Sequence, residues 1–332
     1  MAFLRTFLIC LALCFAALGG VITLVDPYGK RAPRLFPSVL QDDHPQKSVL
    51  FREWASQTPS GGVLLGTSRS LIIYPRLLEG LTGVHYFNFA VSDASYTEMQ
   101  NIYREIRRNR FSPQEVLIGV DPDSLMSRKW KEQLDEGIAR GAFLPIAYQA
   151  VQDAKATYTL TTLEDTLHSI EAGVGLRSIK AFNFFEFGGA YQSGGSTAPG
   201  TALRERQQII NGCAEIHHER FEKFELLSEL RLQQLDSLIS NAVADRARVT
   251  LFLTPLNPSV ARKMAEGTPY LELKQVLLER LQALAVKHPF VIRDLSDAVP
   301  REAKPEDWSD CTHYSDFVAA HLARRIFSND NQ

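Results

Sequence analysis

Val63-Leu64-Leu65-Gly66-Thr67-Ser68-Arg69-Ser70 is a short apolar run followed at once by small polar residues and the start of a helical pattern. An apolar run of this length predicts a buried strand. A serine at a sharp strand-to-helix turn projects its hydroxyl from the sheet edge, and its backbone N–H lies where it can face a developing oxyanion. The G-x-S-x-G pattern is incomplete, because Ser70 stands in place of the last glycine. Ser68 is therefore a candidate nucleophile on a motif that is weak by itself.

Further apolar runs predict strands that alternate with helical patterns. The strand candidates after Val63-Leu64-Leu65 are Tyr86-Phe87-Asn88-Phe89, Val116-Leu117-Ile118-Gly119-Val120, Val249-Thr250-Leu251-Phe252-Leu253 and the shorter Phe290-Val291-Ile292. The helical candidates are Ser70 to Leu81, Ser95 to Arg108, Arg204 to Val243 and Ser315 to Phe327. Strands that alternate with helices predict a three-layer α/β/α fold around a mostly parallel sheet.

A long segment between the third and fourth strand candidates has no comparable strand. Its first part, Trp130 to Ile170, is helical in pattern, and residues 182–201 read FNFFEFGGAYQSGGSTAPGT, an aromatic cluster followed by glycine and serine. We interpret residues 127–204 as an insertion over the sheet. It is either the place where substrate shape is read or a plain surface loop.

Composition excludes several classes of protein. The 332 residues include 38 acidic and 36 basic side chains, with 45% hydrophobic and 22% charged positions. These proportions are typical of a globular protein and not of a disordered chain, collagen or a coiled-coil rod. The net charge of −2 and the absence of a basic stripe argue against nucleic acid as a partner.

The amino terminus predicts a membrane anchor. Thr6 to Val25 contains no charged residue and is just long enough to cross a bilayer as a helix. A cleaved signal peptide is the alternative, but no A-x-A site follows and the apolar run continues to Val25. We therefore predict an anchor over residues 1–25, a juxtamembrane linker over 26–50 and the main domain over 51–332. Basic residues flank both sides, so charge alone leaves the orientation open.

The four cysteines form two groups. Cys10 and Cys14 lie in the apolar segment, where a cysteine most often serves as small apolar filler. Cys213 and Cys311 lie in the body of the chain and either form one disulfide, in an oxidising compartment, or remain two buried thiols. No C-x-x-C occurs, which argues against a structural zinc site.

The far end of the chain supplies partners for the serine. Trp308-Ser309-Asp310-Cys311-Thr312-His313-Tyr314 precedes the last helical pattern. A serine hydroxyl needs a base to accept its proton, and the base needs an acceptor for its other ring nitrogen. His313 and Asp310, three residues apart in one loop, suit these two roles. The other histidines have no such partner set, and no histidine and carboxylate spacing indicates a metal.

These features together resemble the SGNH (GDSL-like) hydrolase superfamily: a serine after the first strand, an asparagine-containing second block and a terminal Asp-x-x-His. The Gly-Thr-Ser-Arg version with an anchor and a helical insertion is similar to its membrane-anchored envelope branch, which includes the D-alanyl-transfer protein of teichoic acid synthesis and O-acetylation proteins of alginate-type polysaccharides. The resemblance implies Ser68 as nucleophile, His313 as general base and Asp310 as its orienting carboxylate. It implies no cofactor.

Four other residues belong to the blocks that carry the resemblance. The second block, from Asn88 to Asp93, places Asp93 where the family has a glycine of the oxyanion hole, and the third block offers Asp121 in place of an asparagine. An ionised Asp121 has no hydrogen to donate. We expect Asn88 to fix its loop through bonds to the backbone. Arg69 either holds an anionic group of the substrate or pairs with Asp93 or Asp121.

The resulting hypothesis is a single-pass protein of the inner (cytoplasmic) membrane with its catalytic domain on the periplasmic side. It would be a serine acyl hydrolase or O-acyltransferase that acts on an esterified envelope carbohydrate or polymer through an acyl-serine intermediate. The resemblance also implies a membrane-bound O-acyltransferase as a possible partner. The alternative is a catalytically inactive SGNH-like scaffold subunit of a polysaccharide assembly, which the carboxylates at positions 93 and 121 favour.

Overall fold

The computed structural model describes residues 2–28, 35–37, 44–140, 160–175 and 203–328. The chain divides into two compact units, one formed by Met1–Gln41 with Glu136–Phe182 and the other by Asp42–Asp135 with Asn183–Gln332. We call them the anchor unit and the sheet unit. The aromatic and glycine-rich segment predicted at residues 182–201 lies outside the described residues.

The elements follow the predicted alternation. The strands are β1 Ser60–Leu65, β2 Tyr86–Asn88, β3 Ser112–Val120, β4 Met126–Ser127, β5 Leu226–Leu227, β6 Arg248–Leu253 and β7 Phe290–Asp294. The α-helices are α1 Ala2–Val25, α2 His44–Gln57, α3 Ser68–Leu71, α4 Pro75–Thr82, α5 Tyr96–Arg108, α6 Lys129–Arg140, α7 Leu160–Gly173, α8 Leu203–Phe221, α9 Glu229–Ala244, α10 Pro258–Ala265, α11 Tyr270–Lys287 and α12 Asp316–Phe327. Short 3-10 turns cover Pro122–Leu125 and Pro305–Asp307.

The sheet unit is built on five parallel strands in the order β2-β1-β3-β6-β7. The central strands are apolar and almost wholly buried: β1 ends in Val63, Leu64 and Leu65, each with no exposed surface. Such continuous apolar runs are typical of parallel strands covered on both faces. The predicted α/β class with a mostly parallel sheet is confirmed.

Strand order places helices on both faces. The chain moves from β1 outward to β2 through α4, then returns across β1 to β3 through α5 and continues outward through α9 and α11. Because parallel crossovers are right-handed, the reversal of direction puts α4 on one face of the sheet and α5, α9 and α11 on the other. Contacts agree: α5 packs on α9, whereas α4 packs on α12.

Two predicted helices are each broken in two. The helix predicted from Ser70 to Leu81 consists of α3 and α4, separated at Tyr74, whose ψ of 139° is extended. Pro75 follows, and the residue before a proline is disfavoured in the helical region. A single helix over Ser70 to Leu81 is therefore wrong.

The helix predicted from Arg204 to Val243 is also wrong as one element. It ends at Phe221 and restarts at Glu229, with β5 between. The break lets Leu226 and Leu227 pair antiparallel with β4. Ser228 then starts α9 as its N-cap, accepting from the backbone N–H of Arg231.

The anchor unit contains the predicted membrane segment. Helix α1 is long and apolar enough to cross a bilayer over Phe3–Val25. Its carboxyl-terminal end packs on α7, and Tyr28 donates to the Asp165 carboxylate at 2.9 Å. Helix α2 begins at His44, inside the linker predicted for residues 26–50; it belongs to the sheet unit.

Candidate active site

The candidate nucleophile lies where the strand order reverses. Strands β2 and β3 flank β1, and the connections that leave β1 and β3 run to opposite faces of the sheet. In open parallel sheets, this reversal opens a crevice at the carboxyl ends of the strands, where ligands gather. Ser68 follows β1 and Asp121 follows β3, so both residues are at this edge.

Local packing holds Ser68 at the first position of α3. Thr67 is the N-cap of this helix, and its hydroxyl lies 3.4 Å from the backbone N–H of Arg69. Gly66 and Gly119 make room beneath the turn, because a Cβ at either position would overlap the Oγ of Ser70. Both glycines thus allow the turn to sit directly on the end of the sheet.

The opposite side of the site is a tight loop from Trp308 to Tyr314. These two residues pair as an antiparallel bridge, and their rings pack edge to face with centroids 5.8 Å apart. Inside the loop, the backbone N–H of Ser309 donates to the carbonyl of His313 at 3.0 Å. The two buried aromatic rings fix the loop ends, and the segment between them projects towards α3.

The structure brings Ser68, His313 and Asp310 into one hydrogen-bonded chain. The Oγ of Ser68 lies 2.8 Å from Nε2 of His313, and Nδ1 of His313 lies 2.6 Å from Oδ2 of Asp310. Residues 245 positions apart are thus joined side chain to side chain. This is the geometry of a nucleophile, a base and an orienting carboxylate.

Asp310 is held as a carboxylate. Burial alone would raise its pKa, but the contact with His313 and the backbone N–H groups of Thr312 and His313 outweigh burial and lower the pKa to about 2. The two backbone bonds measure 2.8 and 2.9 Å and both end on Oδ1. Oδ2 is left for the imidazole, so Nδ1 of His313 carries the hydrogen and Nε2 is left to accept one.

Asp121 is an acceptor and does not take the place of an oxyanion donor. Its two carboxylate oxygens accept hydrogen bonds from the hydroxyls of Thr67 and Thr254, each at 2.6 Å. Thr67 lies just after the end of β1, and Thr254 lies just after the end of β6. Asp121 therefore ties together three strand ends directly beneath the turn that carries Ser68.

Arg69 is a buried structural cation. Its Nη2 lies 2.9 Å from Asp123, and its Nε lies 3.6 Å from Asp121. Burial would lower the pKa of Arg69, but these two carboxylates raise it, and Arg69 in turn lowers the pKa of Asp123 against the effect of burial. The sequence named Asp93 or Asp121 as the partner, but the nearer one is Asp123, two residues further along the same strand end.

The two candidate site residues of the second block differ in exposure: Asn88 is buried and Asp93 is exposed. The side-chain amide of Asn88 is fully buried, donates to the carbonyls of Ser70, Leu71 and Ile73 and accepts from the backbone of Ala90. The bond from Ala90 holds the loop of Asn88 itself, as expected from the sequence, and the three donated bonds also hold the end of α3. Asp93 is exposed and has a φ of 54°, the left-handed region that favours glycine.

A disulfide joins Cys213 of α8 to Cys311, which lies between Asp310 and His313. The sequence left this pair open between a disulfide and two thiols. The disulfide thereby cross-links the loop from Trp308 to Tyr314 to α8, which follows the predicted insertion. Tyr314, at the end of the same loop, donates its hydroxyl to the carbonyl of Arg69 and links the loop to α3.

Within the described residues, no group of three or more histidine, cysteine or acidic side chains is arranged to hold a metal ion. The residues that sequence reasoning missed are Thr67, Thr254, Asp123 and Tyr314. Among these four, only Asp123 could have been suspected from the sequence, because it lies two residues after Asp121 in the segment that follows β3. The others are recognisable only once the strand ends and the loop are placed side by side.

Comparisons with known proteins give structural similarities only. No protein-family model matches the chain, and no curated protein matches it. The solved structures that are similar include a candidate acylhydrolase from Bacteroides fragilis (12% identity, TM-score 0.39, covering 83% of this chain and 91% of that one) and a GDSL-like lipase from Bacteroides thetaiotaomicron (12% identity, TM-score 0.39, covering 85% of this chain and 96% of that one). The order and direction of the strands establish the α/β fold of this protein independently of these similarities.

Proposed function

We propose that this protein is a membrane-anchored serine acyl hydrolase or O-acyltransferase that acts on an esterified cell-envelope carbohydrate or polymer. The observation that carries the proposal is the chain from Ser68 Oγ through His313 to Asp310, with steps of 2.8 and 2.6 Å. The SGNH-like order of the motifs supports acyl chemistry for this arrangement.

In the proposed reaction, Ser68 Oγ attacks the acyl carbonyl carbon while Nε2 of His313 accepts the hydroxyl proton. Asp310 stabilises the imidazolium through Nδ1. The tetrahedral intermediate collapses, His313 returns the proton to the leaving alcohol and an acyl-serine remains. Water or a sugar hydroxyl then gives its proton to His313 and attacks the acyl carbon, the bond from this carbon to Ser68 Oγ breaks, and His313 returns the proton to Oγ.

The proposed oxyanion site uses backbone groups. Ser68 is the first residue of α3, so its backbone N–H has no carbonyl partner within that helix. Asp93 has a φ of 54°, in the left-handed region that favours glycine, which supports its backbone N–H as the second donor at the position where the resemblance implies a glycine. Asp121 has no part in this step, because both of its oxygens accept hydrogen bonds from threonines.

Transfer is favoured over hydrolysis by the anchor. A helix that holds the domain at a bilayer keeps it beside acyl groups delivered across the membrane, and a membrane-bound O-acyltransferase is the partner that the resemblance implies. The Cys213–Cys311 disulfide supports an extracytoplasmic, periplasmic location, because such bonds persist in oxidising compartments.

The test uses the full chain in detergent micelles and a fluorophosphonate probe, which labels activated serines. We expect labelling of the wild type and none of Ser68→Ala or His313→Ala. Ser237→Ala is the matched control, since this exposed serine of α9 donates to the carbonyl of Gln233 outside the site, and the variant should still be labelled. A folded wild type that neither reacts with the probe nor cleaves p-nitrophenyl acetate would refute the catalytic proposal.

The second candidate function is that of an inactive SGNH-like scaffold. Asp121 favours it, because a buried carboxylate takes the position where the family offers an amide donor. Failure to label, together with retained folding, would support this candidate.

A further inference from the structure

A pocket of about 330 Å³ lies within the sheet unit, beside the start of the loop from Trp308 to Tyr314. Its walls come from α8, the start of α10 and the segment that ends at Trp308. This volume lies in the range of small-molecule sites, which begins at about 300 Å³. The pocket contains neither Ser68 nor His313 and is distinct from the candidate active site.

The charged residues that line this pocket are both basic. Arg262 and Lys304 line it, and no carboxylate does. Both side chains are exposed, and neither has an ion-pair partner among the described residues, whereas the neighbouring Lys263 pairs with Glu215. Two unpaired cations in one concave site favour an anionic group.

The remaining lining combines amide groups with apolar surface. Asn257 and Gln207 face the pocket together with Pro258 and Pro305. Asn257 is 5% exposed, and its Oδ1 accepts hydrogen bonds from the backbone N–H and the hydroxyl of Ser259. The amide N–H₂ of Asn257 has no hydrogen-bond partner in the described part of the chain. A sugar ring presents hydroxyls to amides and C–H faces to proline.

A backbone hydrogen bond and the chain itself connect the pocket to the loop from Trp308 to Tyr314. The N–H of Asn257 donates to the carbonyl of Cys311 at 2.9 Å, and Trp308, which lines the pocket, is two residues from Asp310. A polymer residue bound here would lie next to the segment that positions His313.

We propose that this pocket is a subsite for an acidic sugar residue of the polymer, with its anionic group held by Arg262 and Lys304 and its hydroxyls by Asn257 and Gln207. The proposal rests on the function proposed above and names the class of its substrate: a saccharide that carries anionic groups.

The experiment measures binding by calorimetry with the full-length Ser68→Ala variant, which separates binding from any reaction. Tetragalacturonate is the acidic probe and maltotetraose the neutral one. We expect tetragalacturonate to bind, maltotetraose to bind at least about ten-fold more weakly, and Arg262→Gln combined with Lys304→Gln to weaken acidic binding about ten-fold or more. Arg108→Gln, an exposed cation at the end of α5, is the matched control and should leave binding unchanged.

Absence of tetragalacturonate binding, equal affinity for the neutral probe or equal affinity in the double variant would overturn the subsite. None of these results depends on the serine probe. Labelling of Ser68 without tetragalacturonate binding would refute the subsite but not the catalytic proposal. Tetragalacturonate binding without labelling would support the subsite in a protein that is not catalytic.

Discussion

Asp310 is the residue whose charge the site depends on most directly. Asp310→Asn keeps the shape of the side chain but gives it an N–H₂ group that opposes the hydrogen on Nδ1 of His313. We expect probe labelling or ester cleavage to slow by about 10³- to 10⁴-fold, as in other triads whose aspartate is replaced by asparagine. Single-turnover labelling kinetics measure this effect, and a loss of less than about ten-fold would contradict the assigned role.

The same substitution predicts a pH dependence of stability. The carboxyl pKa is about 2 in the folded protein, below the ordinary value of about 3.9. Asp310 therefore contributes stability that is fully present above about pH 4 and is lost as the pH falls towards 2. The difference in thermal midpoint between wild type and Asp310→Asn should narrow below about pH 4. Ser68→Ala keeps the Asp310–His313 pair and should follow the wild type over this range.

At the scale of elements, the contact between β3 and α3 positions the nucleophile. A Cβ on Gly119 would overlap the Oγ of Ser70 and press on the ring of Phe252. We expect Gly119→Ala to lower the free energy of unfolding by about 1–3 kcal/mol and to slow probe labelling, because α3 must shift and Ser68 with it. Thermal unfolding and labelling rates measure the two effects.

Gly80 provides the matched control for that change. It lies inside α4, and a Cβ there would have no heavy atom within 4 Å. Gly80→Ala should therefore stabilise the protein by about 0.5–1 kcal/mol through helix propensity, with labelling unchanged. Equal effects of the two substitutions would show that the space beneath Ser70 is unimportant.

The disulfide is the second contact between elements that bears on the site. Cys213→Ser removes the link between α8 and the loop of Asp310 and His313. We expect a loss of about 2–4 kcal/mol in stability and slower labelling, since the loop loses one of its supports. Cys14→Ser, on α1, should change neither. A reduced thermal midpoint with an unchanged labelling rate would show that the loop keeps its geometry without the cross-link.

At the scale of the whole molecule, the proposed topology makes a prediction about the cell. With α1 as an uncleaved anchor and the sheet unit outside the cytoplasm, the protein should stay in the membrane fraction after carbonate extraction. Alkaline phosphatase fused after Gln332 should be active, because it folds only where disulfides form. Release by carbonate would point to a cleaved signal, and an inactive fusion to the opposite orientation.

Sequence patterns alone predict the five strands of the central sheet, the class of fold and the three residues of the proposed triad, but they do not predict β4 or β5. Short apolar runs such as Val249–Leu253 are typical of strands in a parallel sheet that is covered on both faces. The Asp310 and His313 spacing is local, so both residues can be read from one loop. Periodicity failed where a local turn interrupts it, as at Tyr74, because a proline or a short strand pairing outweighs helix propensity.

The surroundings of those three residues depend on the tertiary structure and cannot be predicted from the sequence. Asp121 is an acceptor because Thr67 and Thr254 reach it from two other strand ends, and Arg69 is structural because Asp123 is the nearer carboxylate. Asp123 lies close to Asp121 in the sequence, but no local pattern shows that Thr67, Thr254 and Arg69 meet these carboxylates, since the residues come together only where the parallel strands end at one edge. The Cys213–Cys311 bond has the same origin: side-chain pairing across long separations depends on which strand ends and loops the fold brings together.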